Sequence, residues 1–163
     1  MKKSQIQWMT AVVLLGIAGW RFWVFLSSQS GPSERAYFYD LSEKKLFVAE
    51  RGLVPPIRGI NDAVEDGVRA VVIAPAGRCE DEKARRIAYL ETSAPELKKA
   101  LDAARASGEP PAIGRGVAQG LRWVRRLSDA DWVAITSEEG ERIVSEWAVP
   151  GPDGLSPSVC SPP

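Results

Sequence analysis

The feature that most constrains this chain is an apolar run near its start, "IQWMTAVVLLGIAGWRFWVFL", which occupies residues 6–26. As a helix, these residues span roughly 31 Å, close to the hydrocarbon thickness of a bilayer. The run therefore predicts one transmembrane helix. Together with the few residues before it, it gives a cytoplasmic stub and membrane helix over 1–26.

A single charged residue, Arg21, interrupts this run close to its C-terminal end. From that position the long side chain can carry the guanidinium to the headgroup level while its stem stays in lipid. Trp20 and Trp23 flank it, and Trp8 lies near the other end, as expected of the aromatic belts at membrane interfaces. We therefore predict that Trp8, Trp20, Arg21 and Trp23 are membrane-interface residues.

A cleavable signal peptide is the alternative interpretation of the same run. Lys2 and Lys3 form a positive n-region, and residues 28–30 (SQS) offer small side chains before a cleavage point. The five large residues 22–26 make the run longer than an ordinary signal sequence, which favours a retained anchor. In both cases the remainder is exported, and the lysine pair favours a cytoplasmic N-terminus. The predicted location is the cell membrane, with a single pass and an extracytoplasmic (periplasmic) domain.

The rest of the chain predicts one small domain. Residues 27–34 have the composition of a tether, 35–149 form the domain, and 150–163 are predicted to be a disordered tail because they contain few apolar residues. Alternating or β-branched segments predict strands at 37–41, 46–49, 68–75, 85–93, 121–127 and 131–135. Helices are predicted at 93–109 and 137–147. The fold class is therefore α+β, with a small antiparallel sheet of about six strands and two helices packed on it.

Local signals predict where the helices begin and end. Capping-box patterns start at Ser93 and at Thr136, and Gly108 stands where the first helix is expected to end. The segment 110–120, rich in glycine and proline, is predicted to be a linker.

The composition limits the chemistry available to this chain. It contains no histidine, which removes the commonest general base and metal ligand. Its two cysteines, Cys79 and Cys160, are too few for a four-cysteine zinc site, although they could form a disulfide in an oxidising compartment. Beyond residue 30 there are 18 basic and 21 acidic residues, which argues against nucleic-acid binding. We predict no cofactor, metal or catalytic residue.

One cluster of arginine and tryptophan stands out as a candidate surface for a partner or ligand. Arg122, Trp123 and Arg125 lie in one predicted strand, and Trp132 lies in the next. Such side chains can stack on a planar or anionic ligand. The alternative is that these arginines pair with nearby acidic residues on the surface of the sheet.

Four segments spread over residues 34–147 resemble small bacterial single-pass envelope proteins of unknown function: "ERAYFYDLSEKKLFVAE", "GVRAVVIAPAGRCEDE", "IAYLETSAPELKKAL" and "LRWVRRLSDADWV". The resemblance implies an anchor followed by a domain, and no activity, cofactor or catalytic residue. The leading hypothesis is a non-catalytic, membrane-tethered accessory or interaction subunit of a larger envelope complex, with the bilayer and a membrane protein as partners. The alternatives are an extracytoplasmic ligand-binding or sensing domain that uses the Trp/Arg cluster, and an enzyme that uses carboxylates such as Asp40 or Glu91.

Overall fold

The computed structural model describes residues 16, 18–23, 33–61 and 63–163. Residues 18–23 are helical, and Trp20 and Trp23 are each 73% exposed. Within the described residues, no helix has both the length and the hydropathy that a membrane crossing requires. Most of the predicted transmembrane helix, including Trp8, lies outside the described residues, as does the possible cleavage segment 28–30. The anchor and the signal peptide therefore both stay predictions.

Residues Ser33–Pro163 form an α+β unit, and in the part that the structure describes the sheet has seven strands. The strands are β1 (Arg35–Asp40), β2 (Lys45–Glu50), β3 (Gly67–Ala74), β4 (Arg86–Ser93), β5 (Arg122–Arg125), β6 (Val133–Ala134) and β7 (Ser158–Val159). The helices are α1 (Pro95–Ser107), α2 (Arg115–Gly120) and α3 (Glu138–Ser145), with 3-10 turns at Glu82–Ala84 and Glu146–Ala148. The predicted α+β class with an antiparallel sheet is confirmed, with one more strand and one more α-helix than predicted.

Each strand pairs antiparallel with its neighbours, in the order β2-β1-β3-β4-β5-β6. The seventh strand, β7, pairs with Ile73 and Ala74 of β3. β1 contacts β3 as far as Arg69, and β4 occupies the other side of β3. β1 and β7 therefore lie on the same side of β3, with β1 beside its first residues and β7 beside its last.

The predicted disordered tail is wrong for its last residues. Cys160 follows β7, donates its backbone N–H to the carbonyl of Val72 at 2.8 Å, and is 5% exposed. It forms a disulfide with Cys79, with the two Cα atoms 5.3 Å apart. Ser33 Oγ also donates to the carbonyl oxygen of Pro162 at 3.4 Å. A covalent bond and backbone pairing hold this segment in place, and neither is visible in its low apolar content.

One cluster of the hydrophobic core lies on the face of the sheet that carries Tyr37, Ala70 and Leu90, which we call the core face. Side chains directly opposite each other on paired strands share a face, because side chains alternate along a strand. The residues of this core cluster are Tyr37, Val68, Ala70, Val72, Ala74, Leu90 and Cys160. The disulfide thus connects the tail directly to the core.

The opposite face, which we call the charged face, combines buried apolar residues with ionised ones. The register places Phe38, Arg69, Glu91 and Val124 opposite one another on β1, β3, β4 and β5. Phe38 and Val124 are 0% exposed. The ring of Phe38 packs against Phe47, with centroids 5.8 Å apart. Charged side chains on this face, such as Arg69 and Glu91, are therefore partly buried beside apolar ones.

The helix α1 begins later than its predicted capping box. Ser93 belongs to β4, where it pairs with Arg122, and Ala94 is the N-cap without a side-chain hydrogen bond. Pro95 occupies the first turn, where its missing N–H costs nothing. Gly108 ends the helix in the left-handed region at φ 72°, as predicted. Ser93, which the local sequence predicts as the N-cap, is instead the last residue of β4 because it pairs with β5.

The predictions for the remaining helices need two corrections. The N-cap of α3 is Ser137 and not Thr136, and its side chain accepts a hydrogen bond from the N–H of Gly140 at 3.0 Å. The predicted linker contains α2. An added Cβ at Gly140 would lie 2.1 Å from the carbonyl oxygen of Ala134, so α3 approaches the neighbouring backbone at a point where only glycine fits. Ile143, on the same helix, is 1% exposed.

Candidate functional site

The structure divides the predicted Trp/Arg cluster between the two faces of the sheet. Trp123 pairs with Thr92 and Arg125 pairs with Leu90, so both side chains lie on the core face. Arg122 is next to Trp123 in the same strand and therefore points to the charged face. Trp132 packs at the edge of the core cluster, on the same side as Trp123. Three of the four residues can act together, and Arg122 belongs to a different site.

Trp123 and Trp132 line an open groove of about 510 Å³, which we call the tryptophan groove. It lies between the end of the sheet, the first turns of α1 and the loop after β2. Its other lining residues are Pro56, Glu65, Thr92, Ser93, Pro95, Lys98, Lys99 and Asp102. Two indoles and two prolines give the groove an apolar interior, and charges of both signs surround it.

Arg125 positions one wall of the tryptophan groove. Its guanidinium carbon lies 4.8 Å from the ring centroid of Trp132, within the range of a cation–π contact. Its Nη1 donates to the backbone carbonyls of Asp129 at 2.8 Å and Ala130 at 3.3 Å. Through Nη1 and the face of the guanidinium, Arg125 contacts both the β5–β6 turn and the indole. Arg125 consequently supports Trp132 and the turn between β5 and β6.

The rim of the tryptophan groove is organised by Lys98 of α1. Its ammonium lies 3.1 Å from Asp102, 3.9 Å from Glu65 and 3.5 Å from the carbonyl of Val54. The pair Lys98 and Asp102 is spaced i,i+4 on the helix, so both side chains face the same way. These contacts connect α1 to the loop that carries Pro56 and fix the width of the groove.

Arg122 lies in a second cavity, on the charged face, of about 220 Å³, which we call the arginine cleft. Arg122 donates to Glu91 at 3.0 Å and to Gln119 at 3.4 Å. The other lining residues are Arg51, Gly52, Leu53, Val54, Pro55, Arg69, Thr92, Ser93, Leu97 and Leu101. Arg122 is therefore paired with an acidic residue, as the alternative interpretation of the cluster predicts. Trp123 and Trp132 line the other cavity.

The two carboxylates considered for acid–base work are both engaged. Asp40 is 0% exposed and accepts hydrogen bonds from the N–H of Glu43 at 2.7 Å, the N–H of Ile60 at 2.6 Å and the hydroxyl of Ser42 at 2.9 Å. These donors, the N–H of Glu43 first among them, hold its pKa below the ordinary value. Asp40 therefore fixes the β1–β2 turn and the 59–60 segment rather than facing a substrate.

The loop around Cys79 is a structural element. Its sulfur is in the disulfide, so it offers no thiol, and Arg85 Nε donates to its carbonyl at 2.7 Å. Asp81 accepts from Arg78 at 2.6 Å and caps the 3-10 turn that follows, and the bond from Arg78 is the main cause of its lowered pKa. Among the described residues, no three Asp, Glu, Cys or His side chains are grouped to hold a metal ion.

Four residues that line the two cavities were not predicted from the sequence: Arg51, Arg69, Lys98 and Pro56. A signal was present for Arg69, because it is the only charged residue in the apolar strand "VRAVVIAP". The separation of Arg122 from Trp123 was also visible, because neighbours in a strand point to opposite faces.

Fold and site together define a disulfide-bonded α+β domain with a tryptophan-lined groove on one side and an arginine-lined cleft on the other. A scan of family models and searches of curated proteins and of solved structures each found no match to this chain. The residues of the two cavities are therefore the features that bear on function.

Proposed function

We propose that this protein is a non-catalytic, membrane-tethered accessory subunit whose extracytoplasmic domain binds a protein partner in the tryptophan groove. The observation that carries the proposal is the pair Trp123 and Trp132, which line one groove together with Pro56 and Pro95. Tryptophan is among the residues that contribute most to binding at protein interfaces, particularly when it lines a pocket surrounded by polar groups.

The charges on the rim support a polypeptide partner over a simple apolar one. Lys98 and Lys99 face the groove together with Glu65 and Asp102, so the rim offers both signs. Such a rim favours the correct register of a partner with complementary charges and raises the cost of a wrong one.

Two features support export of the domain and its attachment to a membrane. The Cys79–Cys160 disulfide is typical of an oxidising compartment. The apolar run over residues 6–26 has the length of a membrane helix. A tether of this kind keeps the domain close to membrane partners and raises its effective concentration there.

The proposal is tested with the full chain, extracted from membranes in a mild detergent and measured for protein mass by light scattering. We expect a complex that Trp123→Ala weakens about 30-fold, the effect of losing a strong interface tryptophan. Lys99→Glu, at an exposed position, tests the rim without disturbing the core. Leu127→Ala, an exposed apolar residue just beyond β5, is the control and should leave the complex intact. Recovery of the wild type as a monomer in every detergent would refute the proposal.

A second candidate function is the binding of a small molecule in the same groove. Its volume of about 510 Å³ lies within the range of small-molecule sites, and one of its indoles is held in place by Arg125. A panel of glycans and anionic metabolites would be screened for a rise in the unfolding temperature of the full chain in detergent, since a true ligand stabilises the folded state. A rise that Trp123→Ala abolishes would favour this candidate over the docking of a protein.

A further inference from the structure

The arginine cleft is a second cavity, which shares only Thr92 and Ser93 with the tryptophan groove, and its lining carries an excess of positive charge. Three guanidiniums, from Arg51, Arg69 and Arg122, line it together with a single carboxylate, from Glu91. The whole domain has the opposite balance, with more acidic than basic residues beyond residue 30. Positive charge is therefore concentrated in this cleft, against the average of the chain.

The register of the sheet holds the floor of the cleft in place. Arg69 of β3 is directly opposite Glu91 of β4, and Arg122 of β5 is opposite Ser93, two residues further along the same strand. Neighbouring strands are about 4.8 Å apart, so the backbones that carry the two arginines are about 10 Å apart with Glu91 between them. Arg122 is also displaced by two residues along the strands, and both arginine side chains line the same cleft.

Arg69 is anchored from behind and keeps its charge. Its Nη2 donates to the carbonyl of Arg51 at 2.5 Å and of Leu53 at 3.1 Å, and its guanidinium carbon lies 5.3 Å above the ring of Phe38. Burial lowers its pKa, but an arginine remains protonated at physiological pH. The side chain is therefore ordered before any ligand arrives, which reduces the entropy lost on binding.

Glu91 is already engaged by its neighbours. Its side chain is 14% exposed and accepts from Arg122 at 3.0 Å. Tyr89 lies two residues back on the same face, and burial, followed by the charge of Glu91, raises the pKa of Tyr89 to about 12. One carboxylate shared in this way cannot neutralise three guanidiniums.

The other wall of the cleft is apolar. Leu97 and Leu101 of α1 line it together with Leu53, and Leu97 is 2% exposed. The volume of the cleft, about 220 Å³, lies below the range of about 300–1,000 Å³ that is usual for drug-sized ligands. The cleft therefore combines a cationic floor, an apolar wall and room for a small molecule.

We infer that the arginine cleft binds a small organic carboxylate, with its carboxylate on the guanidiniums of Arg69 and Arg122 and its hydrocarbon part against Leu97 and Leu101. Guanidinium forks match the geometry of a carboxylate better than other cations do. Arg51, exposed at the mouth of the cleft, adds attraction for the incoming anion.

The test measures binding of 4-methylpentanoate to the full chain in a non-ionic detergent by calorimetry and by the side-chain Nε–H signals of arginine. We expect saturable binding with shifts at Arg69 and Arg122, while the neutral 4-methylpentanamide should not bind. Glu91→Gln removes the competing charge at constant shape and should tighten binding about tenfold. Arg51→Gln should weaken it several-fold, and Arg86→Gln, an exposed arginine at the other end of β4, should change nothing.

Three results would overturn the inference. Equal binding of the amide would show that the charge plays no part. Tighter binding of inorganic phosphate would show that the leucine wall contributes nothing and that the ligand is not an organic carboxylate. Unchanged affinity in Glu91→Gln would show that the anion does not reach the floor of the cleft. None of these outcomes depends on the tryptophan groove, so the inference can fail or succeed independently of the proposed function.

Discussion

Removing the disulfide tests how much of this domain's stability comes from constraining the unfolded chain. Cys79 and Cys160 are separated by 81 residues, so the bond closes a large loop. For a loop of this length, the chain-entropy relation gives a contribution of about 4.5 kcal/mol at 25 °C. A domain of this size has a total unfolding free energy of about 5–15 kcal/mol, so the bond supplies a large share of it.

The assay is urea unfolding of the full chain in a non-ionic detergent, followed by tryptophan fluorescence. With a slope of about 2 kcal/mol per molar urea, the double variant Cys79→Ala, Cys160→Ala should unfold about 2 M earlier than the oxidised wild type. Each single variant should lose nearly as much as the double, because one substitution already breaks the bond. A loss below about 1 kcal/mol, or single losses that add up to the double, would refute the loop-closure reasoning.

Gly140→Ala should destabilise the domain by about 1–3 kcal/mol, because the added Cβ would meet a backbone oxygen. Gly116→Ala in α2, where an added Cβ has no atom within 4 Å, should stabilise the domain by up to about 1 kcal/mol. Thermal melts measure both changes, and a change of the same sign in the two variants would contradict this prediction. The pKa of Asp40 is depressed, so its contribution to stability is present above pH 3.8 and is lost as the pH falls through its folded-state pKa; Asp40→Asn should flatten that acid dependence in denaturant titrations. The pKa of Tyr89 is raised to about 12, so ultraviolet titration should show one tyrosine that ionises at higher pH than an ordinary tyrosine. In Glu91→Gln this tyrosine should ionise at lower pH, and an unchanged titration curve would contradict the influence of Glu91 on Tyr89.

The strands could be predicted from sequence because their pattern is local. Alternation of apolar residues in β1 and the β-branched run of β3 indicate strands wherever they occur, and the hairpins follow because polar segments connect consecutive strands. The same alternation shows that Arg122 and Trp123 belong to different faces, so the division of the Trp/Arg cluster was predictable in principle.

The remaining features depend on contacts between distant parts of the chain. Ser93 has the local signature of a helix cap but pairs with Arg122 across the sheet. The segment after residue 150 has little apolar surface of its own and is ordered where Cys160 bonds to Cys79 and to the backbone of Val72. The arginine cleft joins side chains from three strands, a loop and α1, and no spacing along the sequence reveals this arrangement.

The contact between Ser33 and Pro162 shows that the first and last residues of the domain lie close together. A domain of this form is suited to insertion into a surface loop of a host protein, because its two ends need no long spacers. A circular permutant that links residue 163 to residue 33 through a few glycines, and opens the chain in the exposed turn at residues 42–44, should keep the disulfide and both cavities. Such a permutant would carry a reporter at a chosen edge of the sheet.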